Sequence, residues 1–201
     1  GVDKIVFSST ASVYGEPAAV PIPETAPLRP TNPYGESKLA MERMMHWVGE
    51  AHGIRSVILR YFNVAGAWAQ GEIGEDHRPE SHLIPIILQV PLGKRPHITI
   101  FGDDYPTPDG TCIRDYLDVV ELADAHMRAV DYLRAGGESE ICNLGNGTGF
   151  SVRQMVEAAR RVTGRDIAVS IGARRPGDPA RLVASAQRAK EVLGWTARAD
   201  I

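Results

Sequence analysis

Apolar positions along the chain alternate between strand-like runs and helix-spaced stripes. The apolar run Lys4–Ser8 predicts a buried strand, and an irregular stretch from Pro17 to Pro30 separates it from a helix over Pro33–His52 that Gly53 closes. A second strand, Ser56–Phe62, completes one right-handed crossover unit. From Gly66 to Pro79 periodicity is lost, as expected of a loop laid over a site. Helix Ser81–Leu92 then turns Leu83, Ile84, Ile86, Ile87 and Val90 inward, and strand Ile98–Phe101 leads to a turn-rich loop, Asp103–Gly110. Asp118 caps a helix running to Ala135, followed by a short strand, Glu140–Leu144. Ser151 and Gln154 form a capping box for helix Val152–Thr163. Strand Ile167–Ile171, a basic loop Ala173–Pro179, and a last helix capped by Ser185 and closing near Gly194 complete the pattern. Strand and helix alternate throughout, which is α/β architecture.

Composition narrows the function. The 201 residues are 43% hydrophobic with a net charge of -3, enough for one or two lobes with a genuine core. Basic residues are outnumbered by acidic ones, and no basic run exceeds pairs such as Arg174-Arg175, so no nucleic acid is expected as partner. No apolar stretch approaches the ~18 residues of a membrane span, and no signal peptide is evident, so the cytoplasm is the expected compartment. Cys112 and Cys142 lack any C-x-x-C partner and read as reduced thiols. The histidines His46, His52, His77, His82, His97 and His126 show no metal-site spacing, so no metal is expected.

The chain enters a core strand within three residues of Gly1 and contains no Gly-x-x-Gly-x-x-Gly or Gly-x-Gly-x-x-Gly. The cluster Gly145-Asn146-Gly147-Thr148-Gly149 follows a strand but lacks that spacing. The expectation is that a first β-α-β-α-β half, about a hundred residues, lies upstream of this chain. The end at Asp200-Ile201 is expected to be clipped as well.

The candidate chemistry lies in Asn32-Pro33-Tyr34-Gly35-Glu36-Ser37-Lys38, downstream of Ser8-Ser9-Thr10-Ala11-Ser12-Val13-Tyr14-Gly15. In a helix opened by Pro33, Tyr34 and Lys38 fall on one face, roughly 6 Å apart at Cβ. A cation so close favours the phenolate and makes the phenol a usable base. Alone, Tyr-x-x-x-Lys is weak and reads as an ordinary helix pair. The preceding strand, ending in three hydroxyl residues where an open α/β sheet presents reactive groups, favours catalysis.

Six motifs together resemble the UDP-glucose 4-epimerase family of the extended short-chain dehydrogenases/reductases. They are the two segments above, Leu59-Arg60-Tyr61-Phe62-Asn63-Val64-Ala65-Gly66-Ala67, Ile100–Thr107, Gly110–Tyr116, and Arg175-Pro176-Gly177-Asp178. The resemblance implies a partial Rossmann-like, doubly wound parallel sheet with a smaller α/β substrate-binding lobe. Residues 1–66 and about 112–145 would be the C-terminal part of the NAD-binding domain. About 67–111 and 146–201 would be the UDP-sugar lobe, with the glycine-rich region absent.

It further implies that Thr10, Tyr34 and Lys38 are the catalytic set and touch the NAD cofactor. Tyr34 would take the proton of the sugar 4-hydroxyl as hydride leaves C4 for NAD, Lys38 would bind the cofactor ribose, and Thr10 would steer the proton. Tyr61 and Phe62 would pack around the nicotinamide; from the residues alone both read as core aromatics. Asn63, His82, Leu83, Thr99, Phe101, Arg114, Arg175, Asp178 and Leu182 would contact the UDP-sugar. Among these, Arg114 and Arg175 suit the diphosphate, Asp178 the uridine ribose, and Phe101 the uracil. Read singly, the arginines would be surface partners of Asp115 and Asp178, Asn63 a strand-end cap, and His82 a solvent-facing helix-start residue. Leu182 narrows the sugar pocket and favours plain hexoses over N-acetylhexosamines.

The expected function is reversible C4 epimerisation of UDP-glucose and UDP-galactose through a 4-keto intermediate, in a homodimer to which helix Pro33–His52 contributes. Alternatives are a UDP-N-acetylhexosamine epimerase, a UDP-uronate epimerase using Arg181, and an inactive nucleotide-sugar-binding fragment. A 4,6-dehydratase is disfavoured because Ala11-Ser12, not acids, follow Thr10.

Overall fold

The computed structural model describes residues 1–199, so the expected clipping at Asp200-Ile201 lies outside the described residues. Strand β1 (Lys4–Thr10) pairs in parallel with β2 (Arg55–Tyr61), with Lys4 opposite Arg55 and Thr10 opposite Tyr61. β2 in turn pairs in parallel with β7 (Glu140–Leu144), giving the order β1-β2-β7. The crossover between β1 and β2 is α1 (Pro33–His52). Its start is fixed by the Asn32 side chain, which accepts the Gly35 N–H, and by Pro33 in the first position; Gly53 ends it in the left-handed region at φ 67.

Strand alternation separates the two faces of this sheet. Val57, Leu59, Cys142 and Leu144 form one core with Ala125, Ala129 and Leu133 of α3 (Val119–Arg134) and with Trp195. Arg60 and Ser9 face the opposite way, toward α1. The architecture is α/β with parallel pairing and helices on both faces, a partial Rossmann-like doubly wound sheet.

Beyond β2, the remaining strands are short. β3 (Asn63–Ala65) pairs with β6 (Tyr116–Asp118), and β4 (Ile98–Phe101) pairs with β9 (Val169–Gly172), both in parallel. β5 (Ile113–Arg114) lies between β8 (Phe150–Ser151) and β10 (Arg181–Leu182). A separate core joins Ile87 of α2 (Leu83–Gln89), Ile98, Ile167, and Met155 and Val156 of α4 (Val152–Thr163).

Several expectations need correction. α2 starts after Ser81 because Glu80 Oε1 accepts the N–H groups of Ser81 and His82, satisfying these donors outside the helix. Ser185 does not cap α5 (Gln187–Leu193): its N–H donates to the Ile22 carbonyl at 2.9 Å, and the N-cap position is Ala186, without a side-chain bond. β9 begins at Val169 because Ile167 is fully buried against α2 and α4. β3, β5, β6, β8, β10 and a 3-10 turn over Ala11–Tyr14 have no counterpart in the expected pattern, since runs of two to four residues are too short to carry a period.

Candidate active site

The carboxyl ends of β1 and β2 meet at Thr10 and Tyr61. Thr10 is buried and its Oγ1 accepts the Ser12 N–H at 3.2 Å, which starts the 3-10 turn and directs the chain away from the sheet. α1 begins against this turn. A Cβ on Gly35 would lie 2.6 Å from the Ser12 carbonyl oxygen, so the approach requires glycine between Tyr34 and the residues that follow.

That contact aims Lys38 at β1. Its Nζ donates to the Ser8 carbonyl at 2.9 Å and lies 5.8 Å from the centre of the Tyr34 ring. The phenol and the ammonium therefore share one helix face, as the four-residue spacing predicts, and Tyr34 is 52% exposed. Behind Lys38, Arg60 forks onto Glu42, with Nη2 to Oε2 at 2.6 Å and Nε to Oε1 at 3.0 Å. The Tyr14 hydroxyl accepts from Arg60 Nη1 and donates to Asn143 Oδ1. Burial acts to lower the Arg60 pKa, but the Glu42 carboxylate and Tyr14 outweigh it and the net shift is upward. For Tyr14 burial dominates over Arg60 and the phenol is pushed up.

A cavity of about 270 Å³ opens at this sheet edge, walled by Thr10, Tyr61, Phe62, Asn63, Arg114, Asp178 and Leu182. Asn32, the cap of α1, also lines it. A second cavity, about 330 Å³, shares Gly177, Asp178 and Pro179 with the first and adds Tyr105, Arg174 and Arg175. Arg114 and Asp178 form an ion pair between the two. The Arg175 guanidinium stacks 4.1 Å from the Phe101 ring centre, and Arg174 stacks 4.2 Å from that of Tyr105 while pairing with Asp104 at 2.6 Å. The buried Tyr105 hydroxyl finds no hydrogen-bond partner among the described residues, and burial next to Cys112 pushes its pKa up to about 12.

Asp115 braces the floor of the site. Fully buried, its carboxylate accepts the N–H groups of Asn146 at 2.7 Å, Gly147 at 3.0 Å and Ala184 at 2.9 Å. Its backbone carbonyl accepts the Asn63 N–H at 3.0 Å. Burial raises its pKa and the three N–H groups only partly offset this.

The expected site residues thus divide. Thr10, Tyr61, Phe62, Asn63, Arg114, Asp178 and Leu182 meet around one cavity, while Arg175 reaches the adjoining one with Phe101 under its guanidinium. Tyr34 and Lys38 pair with each other but form no part of either wall. His82, Leu83 and Thr99 line neither cavity. His82 contacts Glu75 and Glu80, Leu83 packs against the α2–α4 core, and the Thr99 hydroxyl meets that of Ser170 at 3.0 Å. Tyr105, Arg174 and Asn32 were missed as wall residues; the adjacent arginines of the basic loop were the available signal.

Residues 1–145 match the profile of the NAD dependent epimerase/dehydratase family. The UDP-glucose 4-epimerase of Lacticaseibacillus casei is 58% identical over 200 residues, covering 100% of this chain and 60% of that protein. UDP-glucose 4-epimerase from Brucella ovis in complex with NAD superposes with a TM-score of 0.94 at 45% identity, over 98% of this chain and 60% of that one. The enzyme from Bifidobacterium longum in complex with NAD+ and UDP gives 0.93 at 42% identity, with the same coverage, 98% and 60%. This chain spans about 60% of the length of these relatives. The chain belongs to the NAD dependent epimerase/dehydratase family.

Proposed function

We propose that the full-length polypeptide carrying this chain interconverts UDP-glucose and UDP-galactose by reversible oxidation at C4, with NAD held tightly throughout. The observation that carries this reading is the pairing of Lys38 with Tyr34 on the face of α1 beside β1, next to a cavity rimmed by Thr10. Lys38 spends one N–H on the Ser8 carbonyl and keeps others for a ribose hydroxyl, and Tyr61 and Phe62 offer aromatic walls for a nicotinamide. These residues fit one end of NAD; its diphosphate would need a glycine-rich turn that these 201 residues do not contain. Bound there, NAD supplies the hydride acceptor and then the donor.

Tyr34 then accepts the proton of the 4-hydroxyl and returns it after the keto sugar has turned over, with Lys38 beside the ring and Thr10 steering the proton. Arg114 and Arg175 hold the diphosphate through charge-assisted contacts, Asp178 the uridine ribose, Phe101 the uracil, and Asn63 a phosphate oxygen. A firm nucleotide and a loosely held hexose are what turnover inside one pocket requires. Contacts of Thr99, His82 and Leu83 with the nucleotide belong to the same reading, although none of the three lines either cavity.

The domain division belongs to the same reading. Residues 1–66 and about 112–145 are the cofactor side, and about 67–111 and 146–201 the sugar side. So does a homodimer through α1, whose Met44 and Trp47 are 65% and 68% exposed. No described helix is long and apolar enough to cross a membrane, and a cytoplasmic location accords with the free thiols Cys112 and Cys142. The test is conversion of UDP-glucose to UDP-galactose by the purified full-length polypeptide with bound NAD. NAD-loaded protein that leaves both sugars unchanged would refute it.

A further inference from the structure

The loop 75–82 gathers two imidazoles and two carboxylates in a span where no metal was expected from histidine spacing. His82 Nδ1 lies 3.0 Å from Glu80 Oε1 and 2.6 Å from Glu75 Oε1, and His77 Nδ1 lies 3.8 Å from the same Glu80 oxygen. One ligand atom each from His77, Glu80 and His82 falls within 4.8 Å of the others. With metal–nitrogen and metal–oxygen bonds of about 2.0–2.2 Å, the edge of a tetrahedron is roughly 3.3 Å, between these separations. Glu80 is held in place by its Oε1, which accepts the backbone N–H groups of Ser81 and His82 at 2.7 Å each, so a metal would take its Oε2.

We propose that His77, Glu80 and His82, with Glu75 beside His82, form a binding site for a divalent transition metal of the zinc type. Two imidazole nitrogens exclude the all-oxygen preference of magnesium and calcium, whereas the mixed nitrogen and carboxylate set suits zinc. No redox step is involved. Ligation at a ring nitrogen or carboxylate releases any proton bound to that atom to solvent. The bound ion clamps the end of the long loop 66–80 to the start of α2. The site is distinct from the two cavities, whose walls include none of the four residues.

The experiment uses untagged full-length polypeptide, stripped with a chelator and dialysed against zinc sulfate alone, with cobalt(II) as a spectroscopic probe. About one zinc per chain taken up at micromolar concentration, and intense tetrahedral visible absorption with cobalt, are expected. His77→Ala with His82→Ala should abolish both, and Glu80→Gln should weaken uptake by at least about tenfold, while His46→Ala and His52→Ala leave it unchanged. Circular dichroism checks that each variant is folded, and the wild-type titration stands without them. Absence of saturable uptake by the wild type, or uptake retained in the folded double variant, would overturn the assignment and leave an exposed histidine–glutamate ion pair.

Discussion

Arg60 and Glu42 form a bidentate ion pair that is 2% and 4% exposed, and it lies one helical turn beyond Lys38 on α1. The Ser9 hydroxyl also donates to Glu42, so one carboxylate ties α1 to both β1 and β2. Removing the carboxylate leaves a guanidinium buried without its counter-charge. Glu42→Ala should therefore cost about 3–5 kcal/mol of stability. Replacing the pair together, Glu42→Leu with Arg60→Met, should cost much less. Denaturant unfolding of the three proteins measures both, and equal losses would mean that the uncompensated charge is not the cause.

The proposed acid–base role of Tyr34 makes a separate prediction. In the full-length polypeptide, Tyr34→Phe removes the proton acceptor but keeps the ring and its contact with Lys38. Turnover should fall by about 10²–10⁴-fold, while UDP affinity is retained. Initial rates and a UDP titration on the same preparation separate the two effects, and a variant with wild-type turnover would remove Tyr34 from the chemistry.

How far the site was legible depended on period and on chemistry. α1 was readable to the residue from Pro33 and Gly53, and the Tyr34–Lys38 face followed from helix geometry alone. β5, β6, β8 and β10, which set Arg114, Asp115 and Leu182 in place, span two or three residues and leave no alternation to detect. Arg60 sits in a strand of otherwise apolar character, and nothing local marks Glu42, eighteen positions earlier, as its partner. The His77–His82 cluster was invisible for a related reason: Glu75 and Glu80 meet the histidines through a fold of the loop, not through a fixed spacing.

Asp115 should set an unusual pH dependence. Its carboxyl titrates above the usual carboxylate value in the folded chain, because burial outweighs the N–H groups of Ala184, Gly147 and Asn146. The native state therefore holds this proton more tightly than the unfolded state. From about pH 3.9, the ordinary carboxylate value, up to the raised folded value, this group's contribution to stability falls as pH rises. Asp115→Ala abolishes the titration and also strips the acceptor from the half-buried Asn146 and Gly147 N–H groups and from the buried Ala184 N–H, the last alone costing about 1–3 kcal/mol. The variant should be less stable throughout, with a gap to wild type that narrows toward neutral pH. Unfolding free energies at several pH values measure it, and a gap that widens would contradict the assigned direction.

Arg175 stands over Phe101 at the wall of the second cavity, and its proposed partner is the diphosphate. Arg175→Ala in the full-length polypeptide should weaken UDP binding by roughly 1.5–3 kcal/mol, the scale of one charge-assisted contact. Arg175→Lys should recover little of that loss, since an ammonium can neither fork onto phosphate oxygens nor stack as a plane. Calorimetric titration with UDP checks the pair of variants.

Leu182 is the wall residue through which sugar selectivity is most open to test. It sits on β10 beside Arg114 of β5, and it faces the cavity that Thr10, Asn63 and Asp178 also line. A 2-acetamido group is several heavy atoms larger than a hydroxyl, so the proposed role of the branched Leu182 side chain is exclusion by volume, without needing any polar contact. Shortening the side chain should admit it. Leu182→Ala is expected to raise the ratio of kcat/KM for UDP-N-acetylglucosamine over UDP-glucose by about 10–100-fold, the scale of discrimination by a hydrophobic pocket. UDP affinity should stay near wild type, because Arg114 and Arg175 are untouched. If the ratio does not move while the variant remains folded and binds UDP, the gate for the sugar lies elsewhere on the wall.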